Sequence, residues 1–384
     1  MSKDLSAVVI GAGWAGEGHT KALRYCGVDV HTICARNPEV TRAVAERLEI
    51  PNASTDWRAT LEETRPDIVA IATPASLRLE PIELAAALGC HIYCDKPLAV
   101  DAPTAKECYQ AAQAAGVKTA YAATGRYGPG EAWMAEQIAA GVVGTVRAVD
   151  VVARSPGPMF GGAPWTWMDS LALGGGMLNN GFTHAMGTME LVLGRPAIRA
   201  MGTASVGRRR AYVLPDMHDF RQIWGPKPSE EELASLEWRE CDGDGEGAAV
   251  LEVAAQGDRP AVTVTCTFSS NLMAVWPPAG YRFIGDAGTL VADGMANVTN
   301  VRLWTEPGTD PTPLPTPQRL IDAIPAFEGD GDYYTQGKWA ALARDFVADI
   351  RGEDHAPYLT FADGYRYQVA IDAIRSGAGW TELA

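Results

Sequence analysis

Positive charge is scarce in this sequence of 384 residues. Lysine and arginine together number 32, against 47 aspartate and glutamate residues, which gives a formal net charge of −15 at pH 7. Only seven of the basic residues are lysines, and the longest basic run is Arg208-Arg209-Arg210, which a surface loop would explain. This balance argues against nucleic acid and anionic membrane surfaces as partners, because both attract positive charge.

The sequence also lacks the patterns of membrane, secreted and metal-binding proteins. No apolar run approaches the ~20 residues that a membrane helix needs. The opening "MSKDLSAVVIGAG" enters a strand without a signal-peptide pattern, so we expect a cytoplasmic protein. The histidines and cysteines show no ligand spacing, so we predict no metal site. We expect the seven cysteines to be reduced and buried; they are Cys26, Cys34, Cys90, Cys94, Cys108, Cys241 and Cys266.

What the sequence does contain is a glycine pattern near its start. In "LSAVVIGAGWAGEGHTKAL", a short apolar strand leads into Gly11, Gly13 and Gly16, and a helical pattern over residues 17–25 follows. In this strand–turn–helix setting the glycines allow a tight turn, close approach to a pyrophosphate and helix–strand packing. We therefore predict that the loop from Gly11 to Gly16, including Trp14 and Ala15, binds a dinucleotide.

Strand and helix patterns then alternate up to about residue 123, which predicts a doubly wound parallel sheet. Ligands in such sheets bind at the carboxyl ends of the strands. One predicted strand ends at Thr73-Pro74, and the next ends at Asp95-Lys96, directly before a proline. We expect these four residues to border the cofactor.

The end of the second strand bears on the choice between NAD and NADP. NAD-binding folds usually place an acidic residue there to hold the ribose hydroxyls, but this sequence has Ala35 followed by Arg36. An arginine can pair with the 2′-phosphate of NADP or stack on adenine. We predict NADP as the cofactor, with NAD as the alternative.

At this point the sequence resembles the Gfo/Idh/MocA oxidoreductases. The resemblance rests on "GAGWAGEGH", "TPASLR", "CDKP", "GRYGPGEAWMAEQIAAGVVGTVRAV", "GGGMLNNGFTH", "FIGDAGTLVADG" and "FADGYRYQVAIDAIRSGAGW", in this order. It implies a Rossmann domain over residues 1–123 and a substrate-binding and oligomerisation α+β domain over 124–384. The second domain would have a large open, mostly antiparallel sheet, as alternating runs after residue 245 also indicate. Residues 205–245 are predicted as an insertion loop, and the C-terminal helices are candidates for packing back on the Rossmann domain.

The resemblance also implies catalytic residues. Lys96 matches a lysine that lies near nicotinamide and substrate in the family, and partial desolvation there would lower its pKa and suit it to proton transfer. Asp95 would orient Lys96 or the local turn. His184 matches a helical histidine that acts as a base or anchors a hydroxyl. A strand-end lysine and a structural helical histidine are the alternatives for these two residues.

Several positions depart from the family pattern or carry roles that stay open. Asn180 stands where the family has aspartate, one helical turn before His184, so no carboxylate from this position can assist a proton relay. Arg78 replaces a family histidine and could bind a substrate carboxylate or phosphate, or form a structural salt bridge. Arg126 could contact substrate or brace the domain junction. Trp165 and Trp167 could line a sugar pocket or pack in the core.

These features predict an NAD(P)-dependent oxidoreductase that transfers hydride between nicotinamide and a carbinol or carbonyl carbon of a sugar, cyclic polyol or sugar derivative. Family analogy predicts a homodimer or homotetramer. One alternative is a cofactor-retaining enzyme that oxidises a sugar transiently and cleaves or eliminates a glycosidic bond. A second alternative is a regulatory protein that binds sugar and nucleotide without turnover.

Overall fold

A computed structural model describes residues 4–154, 162–215, 217, 220–270, 277–295, 297–328 and 334–383. The chain divides into two compact units. Unit 1 comprises Met1–Ala123, Met217–Gln222 and Pro325–Gln368, and unit 2 comprises Thr124–Asp216, Ile223–Ile324 and Val369–Ala384. The first segment of unit 1 ends where the sequence placed the domain boundary. The two later segments of unit 1 lie within the range that the sequence assigned to the second domain.

The sheet of unit 1 is parallel and has the strand order β3-β2-β1-β4-β5-β6 among the described residues. Its core strands are continuous apolar runs, because helices cover both faces of such a sheet. The strand order reverses between β1 and β4, which is where ligands bind in doubly wound folds. The strands are β1 (Ser6–Ile10), β2 (Asp29–Cys34), β3 (Asn52–Ser54), β4 (Ile68–Ile71), β5 (His91–Asp95) and β6 (Thr119–Ala122).

The helices between these strands begin at identifiable caps. The side chains of Asn37, Asp56 and Asp101 accept hydrogen bonds from the first free N–H groups of α2, α3 and α5. The described helices are α1 (Trp14–Tyr25), α2 (Pro38–Arg47), α3 (Trp57–Thr64), α4 (Leu79–Ala87), α5 (Ala102–Ala115), α6 (Pro129–Ala139), α7 (Thr183–Leu193), α8 (Glu230–Ser235), α9 (Gln318–Asp322), α10 (Thr335–Arg351) and α11 (Phe361–Ser376).

The large sheet of unit 2 has the order β16-β15-β14-β13-β7-β12-β11-β8-β17 in the described part of the chain. Its neighbours are antiparallel except for the parallel pair β7 and β12. The predicted fold, a Rossmann sheet and a mostly antiparallel sheet, is therefore confirmed. The strands of unit 2 are β7 (Val146–Arg154), β8 (Ala197–Val206), β9 (Arg210–Tyr212), β10 (Trp238–Glu240), β11 (Asp244–Val253), β12 (Val262–Ser269), β13 (Gly280–Gly285), β14 (Thr289–Asp293), β15 (Asn300–Trp304), β16 (Thr312–Pro313) and β17 (Thr381–Glu382).

Helix α7 packs against one face of this sheet. Met186 and Met189 of α7 line a small apolar cavity together with Val151, Val264 and Cys266 of the sheet. The helix is buried along most of its length, which fixes its orientation. Any side chain on its first turn is therefore held in a defined place.

The segment 205–245, predicted as a loop, contains regular structure. It connects β8 to β11, which pair directly, and it holds α8 and the two-stranded antiparallel sheet of β9 and β10. Residues 216, 218 and 219 lie outside the described residues. Arg208 lies in the connection between β8 and β9, but its guanidinium is mostly buried because it pairs with Asp169 at 2.7 Å.

All seven cysteines are free, and six of them are buried, with Cys26 partly exposed. Among the described residues, no helix combines the length and apolarity that crossing a membrane would require. The same residues include no group of three or more histidine, cysteine or acidic side chains arranged to hold a metal ion.

Candidate functional site

The glycine loop after β1 is packed too closely for side chains. Gly11 has a φ of +118°, and a Cβ there would lie 2.8 Å from the carbonyl oxygen of Ala72. A Cβ at Gly16 would lie 1.9 Å from the carbonyl oxygen of Gly11. Helix α1 starts at Trp14 after Gly13, and no side chain caps it. Its first N–H groups therefore suit an anionic group such as a pyrophosphate, because the helix dipole adds to their attraction.

A second observation fits a dinucleotide at this edge of the sheet. The Oγ1 of Thr73, just past the end of β4, is buried and has no hydrogen-bond partner among the described residues. Buried hydroxyls are normally hydrogen-bonded, so this atom is available to a ligand. Pro74 follows in extended conformation and begins the next turn. The residues present thus fit a dinucleotide.

The end of β2 carries no acidic side chain at the predicted ribose position. Ala35 is half-buried and its N–H donates to the carbonyl oxygen of Ser54 at 3.1 Å. Arg36 is exposed. Asn37 caps helix α2. An arginine that remains exposed beside an uncharged strand end can reach a phosphate without losing a structural contact.

Arg78 connects the ends of β4 and β5. Its side chain is 2% exposed. Its Nε and Nη2 atoms donate to the carbonyl oxygen of Thr73 at 2.8 and 2.6 Å, and its Nη1 donates to those of Asp95 and Pro97. The N–H donors of the guanidinium are therefore engaged by backbone carbonyl oxygens. The predicted role in binding a substrate anion is corrected to a structural one, and the alternative of a salt bridge does not describe these contacts either.

Lys96 follows β5 in the turn that Arg78 holds. Its side chain is half-buried, and its peptide bond to Pro97 is cis. Burial lowers the pKa of Lys96, the neighbouring Asp95 carboxylate opposes this shift, and the charge of Arg78 adds to it. The net direction is downward, so the uncharged amine is more accessible than in an ordinary lysine.

His19 of helix α1 lies beside Asp95 and was given no role by the sequence. It is completely buried, with Nε2 3.9 Å from Asp95 Oδ1, and it packs edge-on against Tyr93 and Trp339. Burial lowers the pKa of His19 to about 4. The ring is therefore neutral, and the positive charge next to Asp95 comes from other groups.

A second buried acid on α1 was also missed. Glu17 is 5% exposed and accepts two hydrogen bonds from Arg47 and two from Arg221. Burial alone would raise the pKa of Glu17, but the two arginines outweigh it and lower the pKa. Arg221 belongs to the 217–222 segment of unit 1, so this contact links the inserted segment to the helix of the glycine loop.

In unit 2, the helix predicted after Gly176 starts in a different form. Residues Leu178–Phe182 form a π-helical turn, and α7 follows from Thr183. Asn180 lies in this turn, is nearly buried, and donates from Nδ2 to the carbonyl oxygen of Gly176 at 2.8 Å. An aspartate could not donate this bond. A π-helical turn over residues 178–182 thus precedes the α-helix that carries His184.

A buried ion pair fixes the start of this turn. Asp244 accepts a hydrogen bond from the N–H of Leu178 at 2.8 Å and pairs with Arg375 at 2.7 Å. Arg375 also donates to the carbonyl oxygen of Gly175 at 3.2 Å. The three segments involved are far apart in the sequence, which is why no local pattern indicated this pair.

His184 lies on the first turn of α7, against the 3-10 turn Thr124–Tyr127. The N–H of Gly125 donates to His184 Nδ1 at 3.0 Å. A Cβ at Gly125 would lie 2.9 Å from the Cβ of His184, so glycine is needed for this approach. Arg126, next in the chain, is half-buried, with its guanidinium 5.9 Å from the centre of the Tyr127 ring.

The two tryptophans lie beside the inserted segment. Trp165 donates from Nε1 to the carbonyl oxygen of Glu240 at 3.2 Å, and the guanidinium of Arg239 lies 4.5 Å above its ring. Trp167 is half-buried and begins the 3-10 turn Trp167–Asp169. The Asp169–Arg208 pair holds this turn in place. One face and the N–H of Trp165 are thus already engaged within unit 2.

The structure groups the predicted residues within each unit. In unit 1, Thr73, Arg78, Asp95 and Lys96 are joined through the Arg78 contacts at the carboxyl edge of the sheet, where the glycine loop also lies. In unit 2, the π-helical turn carrying Asn180 leads directly into the helix carrying His184, next to the turn of Arg126.

The geometry of unit 1 is that of a dinucleotide-binding Rossmann domain. Residues 5–123 match the family model GFO_IDH_MocA, described as an oxidoreductase family with an NAD-binding Rossmann fold. The resemblance seen in the sequence is thus confirmed over these residues, the part of the chain that the family model covers.

Curated relatives and solved structures extend this similarity. The chain is 27% identical over 209 residues to D-glucoside 3-dehydrogenase of Escherichia coli, covering 53% of this chain and 58% of that protein. It is also 27% identical to levoglucosan dehydrogenase of Pseudarthrobacter phenanthrenivorans, covering 50% and 52%. The chain thus spans about half the length of the curated relatives it matches. A structure of levoglucosan dehydrogenase in complex with NADH and L-sorbose aligns with a TM-score of 0.79 at 21% identity, over 99% of both chains. That alignment shows a shared fold.

We predict that Arg78→Met destabilises unit 1. Each buried polar group left unpaired costs about 1–3 kcal/mol, so losing the guanidinium should lower the free energy of unfolding by at least about 3 kcal/mol. Urea denaturation followed by fluorescence measures this change. Arg58→Met is the matched control, because Arg58 is exposed and makes surface contacts, an ion pair with Glu80 and an approach of 4.9 Å to the Trp57 ring. Equal stability of the two variants would contradict the structural role of Arg78.

Proposed function

We propose that this protein is an NAD(P)-dependent oxidoreductase that acts on a CH–OH group of a sugar, cyclic polyol or sugar derivative. The observation that carries the proposal is a lysine of lowered pKa at the carboxyl end of β5, on the same sheet edge as a glycine loop that fits a dinucleotide. The names of the two curated relatives, dehydrogenases of a D-glucoside and of levoglucosan, support the substrate class.

The reaction needs one hydride acceptor and one proton acceptor. When bound, the nicotinamide supplies the hydride acceptor. The uncharged amine of Lys96 takes the hydroxyl proton as the C–H bond breaks and the C=O bond forms. In the reverse direction the Lys96 ammonium returns the proton to the oxygen. Arg78 and Asp95 hold the turn of Lys96 and shift the pKa of its amine in opposite directions, and they do not exchange the proton themselves.

The residues of unit 2 are proposed to bind the substrate. His184 and Asn180 would contact its hydroxyl groups, and both are held by backbone hydrogen bonds to Gly125 and Gly176. Arg126 and Trp167 are further candidates for substrate contact. Trp165 would contribute through whatever part of its ring the Arg239 contact leaves uncovered. We also propose that the protein is a homodimer or homotetramer, which analytical ultracentrifugation would test.

The proposal is tested with a panel of glucosides, anhydrosugars, aldoses and cyclic polyols. We expect sugar-dependent formation of reduced nicotinamide by the wild-type protein and at least about a hundredfold loss of kcat in Lys96→Met, because positioned proton transfer contributes about 10²–10⁴. Absorbance of the reduced cofactor measures turnover, and fluorescence measures NADH binding. Lys106→Met, an exposed lysine on α5, is the control.

Two results would overturn this proposal. Loss of NADH binding in Lys96→Met would mean that the lysine acts in cofactor binding and not in proton transfer. Conversion of a glycoside without net formation of reduced nicotinamide, by protein that retains its cofactor through purification, would instead indicate transient oxidation with bond cleavage.

The pH dependence of turnover should report Lys96. In the oxidation direction the amine must be uncharged, so kcat falls as pH drops through its pKa, which lies below the ordinary 10.5. The Asp95 carboxylate raises this pKa, so in Asp95→Asn the fall of kcat should occur at lower pH. In the reduction direction kcat should fall as pH rises through the same pKa. A shift toward higher pH in Asp95→Asn would contradict the assignment.

The preference for NADP over NAD is proposed from Ala35 and Arg36. We expect Arg36→Ala to raise the KM for NADP about tenfold or more, since a charge-assisted bond is worth about 1.5–3 kcal/mol, and to leave the KM for NAD nearly unchanged. Ala35→Asp should shift the preference toward NAD by supplying a ribose acceptor. Steady-state kinetics with both cofactors measures this. Equal kcat/KM for NAD and NADP in the wild type would refute the preference.

A further inference from the structure

The contact between Gly125 and His184 restricts what the histidine can do. A neutral imidazole has one nitrogen that carries hydrogen and one that accepts. Nδ1 accepts the backbone N–H of Gly125 at 3.0 Å. A proton on Nδ1 would oppose this N–H, so the hydrogen of the neutral ring lies on Nε2.

This hydrogen bond is built into the fold. The turn Thr124–Tyr127 packs against α7, and Gly125 is buried there. A Cβ at position 125 would lie 2.9 Å from the Cβ of His184, which is too close, and 3.4 Å from the ring atoms Cγ and Nδ1. The burial of α7 against the large sheet prevents the helix from moving away. The absence of a Cβ at position 125 is therefore what allows the N–H to reach Nδ1.

We propose that Gly125 is a positioning residue that fixes His184 as a hydrogen-bond donor. His184 Nε2–H donates to an oxygen of the substrate and does not take its proton. The bond to the oxygen strengthens as the oxygen gains negative charge, and the proton released on oxidation goes to the Lys96 amine. This inference rests on the proposed function for the identity of the reaction, but the position of the ring hydrogen depends only on the structure.

Two substitutions separate a donor from a base. His184→Gln keeps an N–H donor near the position of Nε2, yet an amide cannot act as a base. His184→Ala removes both properties. We expect kcat of His184→Gln to stay within about tenfold of wild type, and kcat of His184→Ala to fall about a hundredfold or more, as for loss of a donor to a developing oxyanion. Equal loss in both variants, of about 10²–10⁴, would overturn the donor role in favour of a base.

Gly125→Ala tests the positioning residue. We expect kcat to fall while the affinity for NADH stays unchanged, because Gly125 is not part of the glycine loop. Thermal denaturation of each variant shows whether it remains folded. His355→Gln, at a histidine outside the proposed site, is the matched control and should keep wild-type kcat.

A direct readout does not depend on turnover. In ¹⁵N-histidine-labelled wild-type protein, the signals of His184, identified by their loss in His184→Gln, should show hydrogen on Nε2 and a hydrogen-bonded acceptor at Nδ1. In Gly125→Ala the Nδ1 signal should lose this hydrogen bond. Hydrogen on Nδ1 of the wild type would overturn the inference even in an active enzyme. The expected tautomer in a protein that oxidises no sugar would show that the proposed function had failed, while the fixed tautomer stood.

Discussion

The buried guanidinium of Arg78 is the constraint on which the cofactor edge of the sheet depends. A charge in an apolar interior is costly unless its hydrogens are used, and the planar fork of arginine offers five donors to satisfy the carbonyl oxygens of two strand ends. By binding Thr73 on one side and Asp95 and Pro97 on the other, it sets the turn in which Lys96 lies. The same charge helps to lower the pKa of Lys96. One buried residue that donates to backbone oxygens thus fixes the turn of the proposed proton acceptor and contributes to its lowered pKa.

The features that the sequence predicted correctly are those with a local cause. The glycine loop and the continuous apolar strands depend on residues a few positions apart, so the Rossmann fold could be read from them, and so could the mostly antiparallel sheet from alternation after residue 245. The roles that were missed depend on contacts between distant segments. Nothing near Asp244 indicates that it will pair with Arg375, and nothing near Arg78 shows that carbonyl oxygens will surround it. The charge of Arg78 near a predicted cleft suggested that it binds an anion. Its guanidinium instead donates to buried backbone carbonyl oxygens, which need hydrogen-bond partners.

The π-helical turn shows how one substitution changes a neighbourhood. With asparagine at position 180, the side chain can donate to the carbonyl oxygen of Gly176, which an aspartate could not do. The same carbonyl oxygen also accepts the N–H of Asn180 at 3.2 Å, and the Asp244 carboxylate accepts the N–H of Leu178 at the start of the turn. The exchange of an acid for an amide therefore fits the local backbone as well as altering the chemistry available to a substrate.

The proton chemistry follows from these hydrogen bonds. Position 180 offers a neutral amide in place of a carboxylate, and the acceptor nitrogen of His184 is engaged by Gly125. His19 is neutral, since burial lowers its pKa to about 4. Of the residues proposed to act on the substrate, Lys96 is then the one proposed to exchange the proton, and its pKa is lowered from the ordinary value. A lysine serves this purpose only if its amine is uncharged part of the time, which burial and the adjacent Arg78 favour, while Asp95 limits the shift. The opposing effects of Arg78 and Asp95 on the pKa of Lys96 would therefore set the pH below which kcat for oxidation falls and above which kcat for reduction falls.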